Sequence, residues 1–159
     1  WNGTNGQLVW DSGDEFERRT AEFGLPFFNL DDNRSDDKGP EPEGIAIAHL
    51  NGQAIAAVGL ERTGGFFLYD LSNPTFPQMI GYVRSNDGDV SPEGVLAIDA
   101  GVNGESSPWL IVTHEVSGTI ALYRLFQNRA VPVMSGYSLA ILAFVLLLTA
   151  GLVLRAQRI

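Results

Sequence analysis

Short apolar runs separated by turn-forming residues occupy most of the chain between residues 45 and 125. The intervening residues are mainly Gly, Asn, Pro and Ser, and runs of this length with such breaks are typical of β-strands. The pattern therefore predicts an all-β region. The predicted strands are Ile45–His49, Ile55–Leu60, Phe66–Leu71 and Gln78–Arg84 in a first group, and Val95–Ile98, Leu110–His114 and Ile120–Leu125 in a second.

The two groups of strands are related by an internal repeat. The run Pro42-Glu43-Gly44-Ile45 recurs fifty residues later as Pro92-Glu93-Gly94-Val95. Four antiparallel strands repeated at about 50 residues are typical of a β-propeller blade. The sequence therefore predicts an incomplete β-propeller with about two C-terminal blades of four-stranded antiparallel sheet. A β-sandwich is the competing interpretation, but a sandwich needs no internal repeat.

The residues before the repeat predict one more strand and a helix. Leu8–Trp10 is expected to be the last strand of a preceding blade, and Ser12–Phe23 is expected to be a short helix with acidic residues in its first turn. Propellers contain about 4–8 blades. We therefore expect this chain to be the C-terminal part of a longer protein, with the remainder of the propeller upstream as its partner.

A long uncharged segment near the C-terminus predicts a transmembrane helix. No residue from Ala130 to Leu154 is charged, and Ser138–Leu154 is almost entirely apolar. Spanning a bilayer takes roughly 17–25 residues, although a buried core helix is an alternative. Arg155 and Arg158 follow the segment and favour a cytoplasmic end. The expected domain organisation is therefore residues 1–126 for the blades, 127–137 for a linker, 138–154 for the membrane helix and 155–159 for a basic cytoplasmic tail.

Charge and composition narrow the range of partners. Before Val131 the chain has 19 acidic and 8 basic residues, a balance of 8 − 19 = −11. An acidic domain repels phosphate backbones, so no nucleic-acid partner is expected, and cations are the more natural small partners. The chain contains no cysteine, so disulfides, thiol catalysis and cysteine-based zinc sites do not apply.

The linker resembles a C-terminal sorting signal of the kind that exosortase-type transpeptidases process. Val131, Pro132, Ser135 and Tyr137 fit the class that opens with Ile-Pro-Thr-Leu, and the apolar segment and the two terminal arginines follow in the same order. The resemblance implies an exosortase-type processing enzyme as a partner. A plain C-terminal membrane anchor explains the same residues.

Several further stretches resemble the choice-of-anchor I family, and together the resemblance covers roughly Gln7–Leu125. The longest is Arg34-Ser35-Asp36-Asp37-Lys38-Gly39-Pro40-Glu41-Pro42-Glu43-Gly44, and the others are Leu8–Glu17, Val58–Arg62 and His114–Thr119. The resemblance implies a propeller-like extracellular protein related to mesenchyme-specific cell-surface glycoproteins. Members of the family are often labelled as atypical alkaline phosphatases. That label provides no catalytic motif for this chain, so catalytic residues remain unknown and no cofactor-binding motif is assigned.

Acidic residues at matching places in the two repeats form the candidate metal site. Converging carboxylates suit a hard cation, and calcium takes 6–8 oxygen ligands, so calcium or another divalent cation is the expected cofactor. The alternative is that each glutamate accepts hydrogen bonds from turn amides and stabilises its own repeat. The matched pairs are Asp37 with Asp87, Glu43 with Glu93, and Glu61 with Glu115.

These features together predict a cell-surface propeller that binds or scaffolds at the bacterial envelope. The acidic region is expected outside the membrane and the short C-terminal tail in the cytoplasm. One alternative is a metal-dependent phosphoesterase, with the activity belonging to the full-length protein. Another is a structural component of a surface layer.

Overall fold

One short helix and seven strands form the described part of the molecule. The computed structural model describes residues 1–24, 28–29, 32–33 and 35–126, all within the first of two units of the chain, Trp1–Gln127. The elements are α1 (Glu15–Glu22), β1 (Pro42–Leu50), β2 (Gln53–Leu60), β3 (Phe66–Asp70), β4 (Gln78–Val83), β5 (Pro92–Ile98), β6 (Trp109–His114) and β7 (Thr119–Arg124).

The strands pair as two antiparallel sheets, with β1-β2-β3-β4 in the first and β5-β6-β7 in the second. All seven strand positions predicted within the two repeats are confirmed, because each apolar run lies between residues that favour tight turns. Gly64 and Gly65 form the turn between β2 and β3 with positive φ angles of 82° and 74°. There the backbone N–H of Leu60 donates to the Gly65 carbonyl at 3.0 Å.

The predicted all-β character is confirmed by the two antiparallel sheets, whereas the predicted fold of propeller blades plus a membrane helix is wrong. Each predicted blade had four strands, but the described residues form one four-stranded and one three-stranded sheet, which do not make two complete blades. Leu8–Trp10 is not a strand. The Trp10 ring packs at 5.6 Å against Tyr69 of β3, so this segment covers a sheet face and does not extend a sheet edge. The helix predicted within Ser12–Phe23 is present as α1.

The membrane helix in the predicted fold class has no counterpart in the described structure. Within residues 1–126, apart from their short gaps, no helix is both long enough and apolar enough to cross a membrane. The predicted span Ser138–Leu154 lies outside the described residues, as do Arg155 and Arg158.

The larger apolar core lies between the two sheets. Phe66 of the first sheet and Leu110 and Val112 of the second are almost completely buried. The rings of Phe66 and Tyr123 meet edge to face, with centroids 4.9 Å apart. Burying one such apolar side chain contributes roughly 1.5–3 kcal/mol, so this contact is the main source of stability shared by the two sheets.

A second core lies on the opposite face of the first sheet, beneath α1. Phe16 of α1 packs against Phe67 at 5.4 Å and against Tyr69 at 6.2 Å between ring centroids. The Tyr69 hydroxyl donates to Glu15 at 2.9 Å, and burial with that carboxylate partner raises the pKa of Tyr69. The helix therefore covers β2, β3 and part of β4.

The contact between the sheets predicts a measurable difference between two strand glycines. A Cβ at Gly44 of β1 would lie 2.5 Å from the Glu93 carbonyl oxygen and 2.8 Å from Val95, whereas a Cβ at Gly81 of β4 would meet nothing within 4 Å. Gly44→Ala should lower the free energy of unfolding by about 1–3 kcal/mol, the usual cost of overpacking. Gly81→Ala is the matched control.

Urea unfolding followed by circular dichroism measures both variants. Equal unfolding midpoints for Gly44→Ala and Gly81→Ala would contradict the close approach of β1 to β5.

A candidate carboxylate site where beta 1 begins and beta 2 ends

Three glutamate side chains converge where β1 begins and β2 ends. One carboxylate oxygen from each of Glu41, Glu43 and Glu61 lies within 4.8 Å of the others. The chain brings them together because the antiparallel pairing places Pro42 opposite Leu60. The Glu61 N–H donates to the Glu41 carbonyl at 2.9 Å, which continues the ladder beyond the end of β2.

An irregularity in β1 helps to place these side chains. The register of β1 against β2 shifts between Pro42 and Ile45, and such bulges re-aim side chains at the ends of strands. Glu41 itself has a φ of 48°, a left-handed conformation that few non-glycine residues adopt. The two features orient Glu41 and Glu43 toward the same point as Glu61.

Two cationic side chains partly neutralise the cluster. Arg62 forms ion pairs through Nε with Glu41 at 2.7 Å and through Nη1 with Glu61 at 2.7 Å. Lys38 approaches Glu41 at 3.0 Å. Three carboxyl groups therefore face two cations, and one negative charge remains when all three are ionised.

The carboxyl groups of the cluster differ in their affinity for protons. Glu61 is only 6% exposed. Burial, followed by the hydrogen bond with Glu41, raises the pKa of Glu61 to about 7. The hydrogen bond from Lys38 holds the pKa of Glu41 below its usual range. Near neutral pH the site therefore exchanges a proton at Glu61, while Glu41 stays ionised.

A groove of about 390 Å³ opens beside the cluster. Glu61, Arg62 and Thr63 form one side, where β2 turns into β3, and the connection from Arg84 to Ser91 between β4 and β5 forms the other. A ligand bound to the carboxylates would have direct access to this groove, since Glu61 belongs to both.

The backbone of this turn is repeated in the second sheet, but its side-chain chemistry is not. The Glu115 N–H donates to the Ser91 carbonyl at 2.9 Å, as Glu61 does to Glu41, and Ser91 also has a positive φ, of 59°. At the positions of Glu41 and Arg62, however, the second repeat has Ser91 and the exposed Val116. Among the residues that the structure describes, only the first repeat holds a cluster of carboxylates at this turn.

Of the six acids proposed from the sequence, Glu43 and Glu61 belong to the three-glutamate cluster, and the other four do not. Asp37 is exposed in the turn before β1, and Glu93 is exposed at the start of β5. Glu115 is exposed after β6. The Asp87 side chain is fully exposed and lies 3.8 Å from Arg84. Val131, Pro132, Ser135 and Tyr137, proposed as the sorting motif, lie outside the described residues.

Sequence reasoning missed Glu41 and Arg62. Only acids that matched between the repeats were selected, and Glu41 has no acidic counterpart because Ser91 occupies the matching position. A usable signal was nevertheless present. Glu41 lies in the run Pro40-Glu41-Pro42-Glu43 and Arg62 directly follows Glu61, so the pairing of β1 with β2 brings both beside the glutamates that were selected.

The two histidines make structural contacts near the other ends of these strands and near the groove. His49 Nδ1 lies 3.0 Å from Asp99, and the His49 N–H donates to the same carboxylate at 2.8 Å, which joins the ends of β1 and β5. His114 is buried, and its Nε2 lies 3.4 Å from the Ser85 hydroxyl. These contacts link the two sheets.

A family model and two curated relatives match the chain. The model of the choice-of-anchor I domain matches residues 1–74, which include α1, β1 to β3 and the three clustered glutamates. The match confirms the family resemblance inferred from the motifs. It ends earlier than the resemblance, which was drawn to Leu125.

Both relatives are distant. The chain is 26% identical to the mesenchyme-specific cell surface glycoprotein of Strongylocentrotus purpuratus over 77% of its length, which is 16% of that protein. It is 27% identical to Gigasin-3a of Magallana gigas over 75% of its length, which is 51% of that protein. The chain thus spans about a sixth and about half of these relatives. Together with the family match, they indicate a protein associated with the cell surface.

The raised pKa of Glu61 predicts a pH-dependent stability. Because the pKa of Glu61 is higher in the folded state, its contribution to the free energy of unfolding is fully present below the ordinary glutamate range and is lost as pH rises through about 7. Glu61→Gln should flatten this fall, because the amide donates to Glu41 as the protonated acid does. The charged groups around Glu61 are Lys38, Glu41, Glu43 and Arg62.

Thermal unfolding measured from about pH 5 to pH 8, the range in which native stability is usually greatest, provides the check. Glu115→Gln, at the matching exposed position, should keep the slope of the parent protein. A slope that persists unchanged in Glu61→Gln would show that another group causes it.

Proposed function

We propose, on the premise that residues 1–74 form part of a choice-of-anchor I domain, that this chain is a binding module of a cell-surface protein. Its proposed ligand is calcium or another divalent cation, held by Glu41, Glu43 and Glu61. The convergence of the three carboxylates within 4.8 Å is the observation that carries the proposal.

The spacing of the oxygens supports a calcium-sized cation. Calcium binds oxygen at about 2.3–2.6 Å, so oxygens that share one ion are at most about 5 Å apart. The three glutamate oxygens meet that limit. Carboxylates can bind through two oxygens and water can complete the 6–8 ligands, so three side chains are a sufficient protein contribution.

The electrostatics of the cluster make cation binding depend on pH. Glu61 must lose its proton to become a ligand, and metal binding releases protons from such groups. Since the pKa of Glu61 is about 7, binding should tighten as the pH rises through this value. Arg62 competes for the same oxygens, because it already pairs with both Glu41 and Glu61.

The bound cation would act as a cross-link at the surface. Glu41 and Glu43 lie at the start of β1, and Glu61 follows β2 at the edge of the groove. A cation held between them would fix the position of the turn that forms one side of the groove. This arrangement suits a module that binds or scaffolds other surface components through the groove.

Calorimetric titration of the full chain with calcium tests the proposal. The parent protein should bind one ion, and the double variant Glu43→Gln with Glu61→Gln should lose the binding. A ligand that binds only the folded state also raises stability, by about 2.7 kcal/mol at a hundredfold excess over Kd. The melting temperature of the parent protein should therefore rise with calcium.

The second repeat provides a matched control. Glu93→Gln with Glu115→Gln removes the same number of charges at the corresponding positions and should leave calcium binding intact. If both double variants lose binding equally, the ion responds to net charge and the proposed site is wrong.

A metal-dependent phosphoesterase is a second candidate, and one observation favours it. Arg62 and Arg84 line the groove beside the carboxylates, and guanidinium groups suit the recognition of phosphate. The chain with calcium should then hydrolyse p-nitrophenyl phosphate, and Arg84→Gln should slow the reaction. Absorbance at neutral to alkaline pH measures the rate, and hydrolysis no faster than in buffer would eliminate this candidate.

A further inference from the structure

The guanidinium of Arg62 already occupies the carboxylate cluster as a cation supplied by the chain itself. Its Nε lies 2.7 Å from Glu41 and its Nη1 lies 2.7 Å from Glu61. Charge-assisted hydrogen bonds of this length are among the stronger ones in proteins. A divalent cation that binds the same oxygens would repel the guanidinium, so it must displace Arg62 from them.

The groove beside the cluster is the space into which Arg62 would then turn. Its side chain is 27% exposed and already lines the groove, next to Glu61 and Thr63. The Arg62 N–H donates to the Pro40 carbonyl at 3.2 Å, which holds the backbone in place. Release from the glutamates therefore needs a rotation of the side chain alone.

A second guanidinium lines the other side of the groove. Arg84 follows β4, and its side chain is 56% exposed and lies 3.8 Å from the fully exposed Asp87. Exposed ion pairs contribute little to stability, so Asp87 competes only weakly with a ligand for Arg84. Guanidinium groups bind the two oxygens of a carboxylate in a bidentate manner, so the groove suits a ligand that carries this group.

The charge around the groove opposes an anionic ligand until a divalent cation is present. The cluster has three carboxylates and two cations, which leaves one negative charge when all three are ionised. Asp87 and Asp89 add further negative charge on the connection from β4 to β5. A divalent cation changes the net charge of the cluster from one negative to one positive. Since neighbouring charges interact strongly near a protein surface, binding of an anion should depend on the cation.

We propose that the cluster and the groove form one receptor for a ligand carboxylate, in which a divalent cation at the glutamates releases Arg62 to bind that carboxylate together with Arg84. The inference rests on the proposed cation site and adds a ligand and its regulation. Arg62 neutralises the glutamates in the absence of the cation and binds the ligand in its presence. An aspartate of a partner protein and a uronic acid of a glycan both carry the required group.

The cation and the carboxylate should each strengthen the binding of the other. Such coupling between two sites is reciprocal and is typically about 5–150-fold, so we expect the same factor for both ligands. The ligand carboxylate can also contribute an oxygen to the cation, because calcium takes 6–8 oxygen ligands and three glutamates leave room for others.

Calorimetric titration of the full chain measures both affinities, at a pH above the value of about 7 that is the pKa of Glu61 and at fixed ionic strength. The carboxylate probe is a capped Gly-Asp-Gly peptide, and capped Gly-Asn-Gly is its uncharged control. The aspartyl peptide should bind tightly in saturating calcium and weakly after calcium is removed with a chelator and desalting. Methyl glucuronide is the second probe, and the tighter of the two carboxylates identifies a protein or a glycan as the source.

Two variants with matched charge separate the role of Arg62 from that of net charge. Arg62→Gln removes the internal competitor, so it should bind calcium more tightly and gain less peptide affinity when calcium is added. Lys38→Gln removes the same charge from Glu41, but Lys38 lies outside the residues that line the groove, so this variant should keep the gain of the parent protein. Arg84→Gln should weaken peptide binding and leave calcium affinity close to that of the parent.

Failure of this inference can be told from failure of the cation site. If the parent protein binds calcium but binds the peptide equally with and without it, this inference is wrong and the cation site stands. The role of Arg62 is overturned if Arg62→Gln keeps the full gain, or if Arg62→Gln and Lys38→Gln lose it to the same extent. A parent protein that binds no calcium overturns both proposals.

Discussion

The close approach of β1 to β5 at Gly44 is the constraint on which the rest of the described structure depends. A side chain at this position would collide with the Glu93 carbonyl and with Val95. Its absence allows the two sheets to exclude water from Phe66, Leu110 and Val112 together. The other face of the first sheet is then available to α1, so both cores follow from one narrow contact.

The same contact determines where the charged cluster can lie. Glu43 directly precedes Gly44, so its backbone is fixed by the packing of the sheets, while Glu61 is fixed by the ladder between β1 and β2. The cluster therefore lies at a rigid corner of the structure. Burial of Glu61 at this corner raises its pKa, and the cations of Lys38 and Arg62 compensate for the remaining charge.

Much of the secondary structure could be predicted from the sequence, because each strand is a short apolar run between breakers and α1 has acidic residues at its start. The sheet topology could be predicted less well. Leu8–Trp10 has a strand-like composition, but it forms no strand, and the Trp10 ring packs on Tyr69 instead. The composition of a short segment does not reveal whether it will pair at an edge or cover a face.

Only part of the candidate site could be predicted from the sequence, because the internal repeat does not extend to all of its side chains. Matching acids between the repeats identified Glu43 and Glu61 but could not identify Glu41, whose counterpart is Ser91. What the repeat conserves is the backbone hydrogen bond that closes the turn, from Glu61 to Glu41 and from Glu115 to Ser91. Side chains outside that bond are free to differ.

Because the backbone of this turn does not depend on its side chains, such a protein can acquire new chemistry there. The turn at Ser91 already has the left-handed backbone conformation that Glu41 adopts, and it keeps this conformation without any of the charged partners. The substitutions Ser91→Glu and Val116→Arg would thus place a carboxylate and a guanidinium on a backbone that already has the required conformation. A charged cluster like that of the first repeat could therefore be engineered at the second turn without refolding the domain around it.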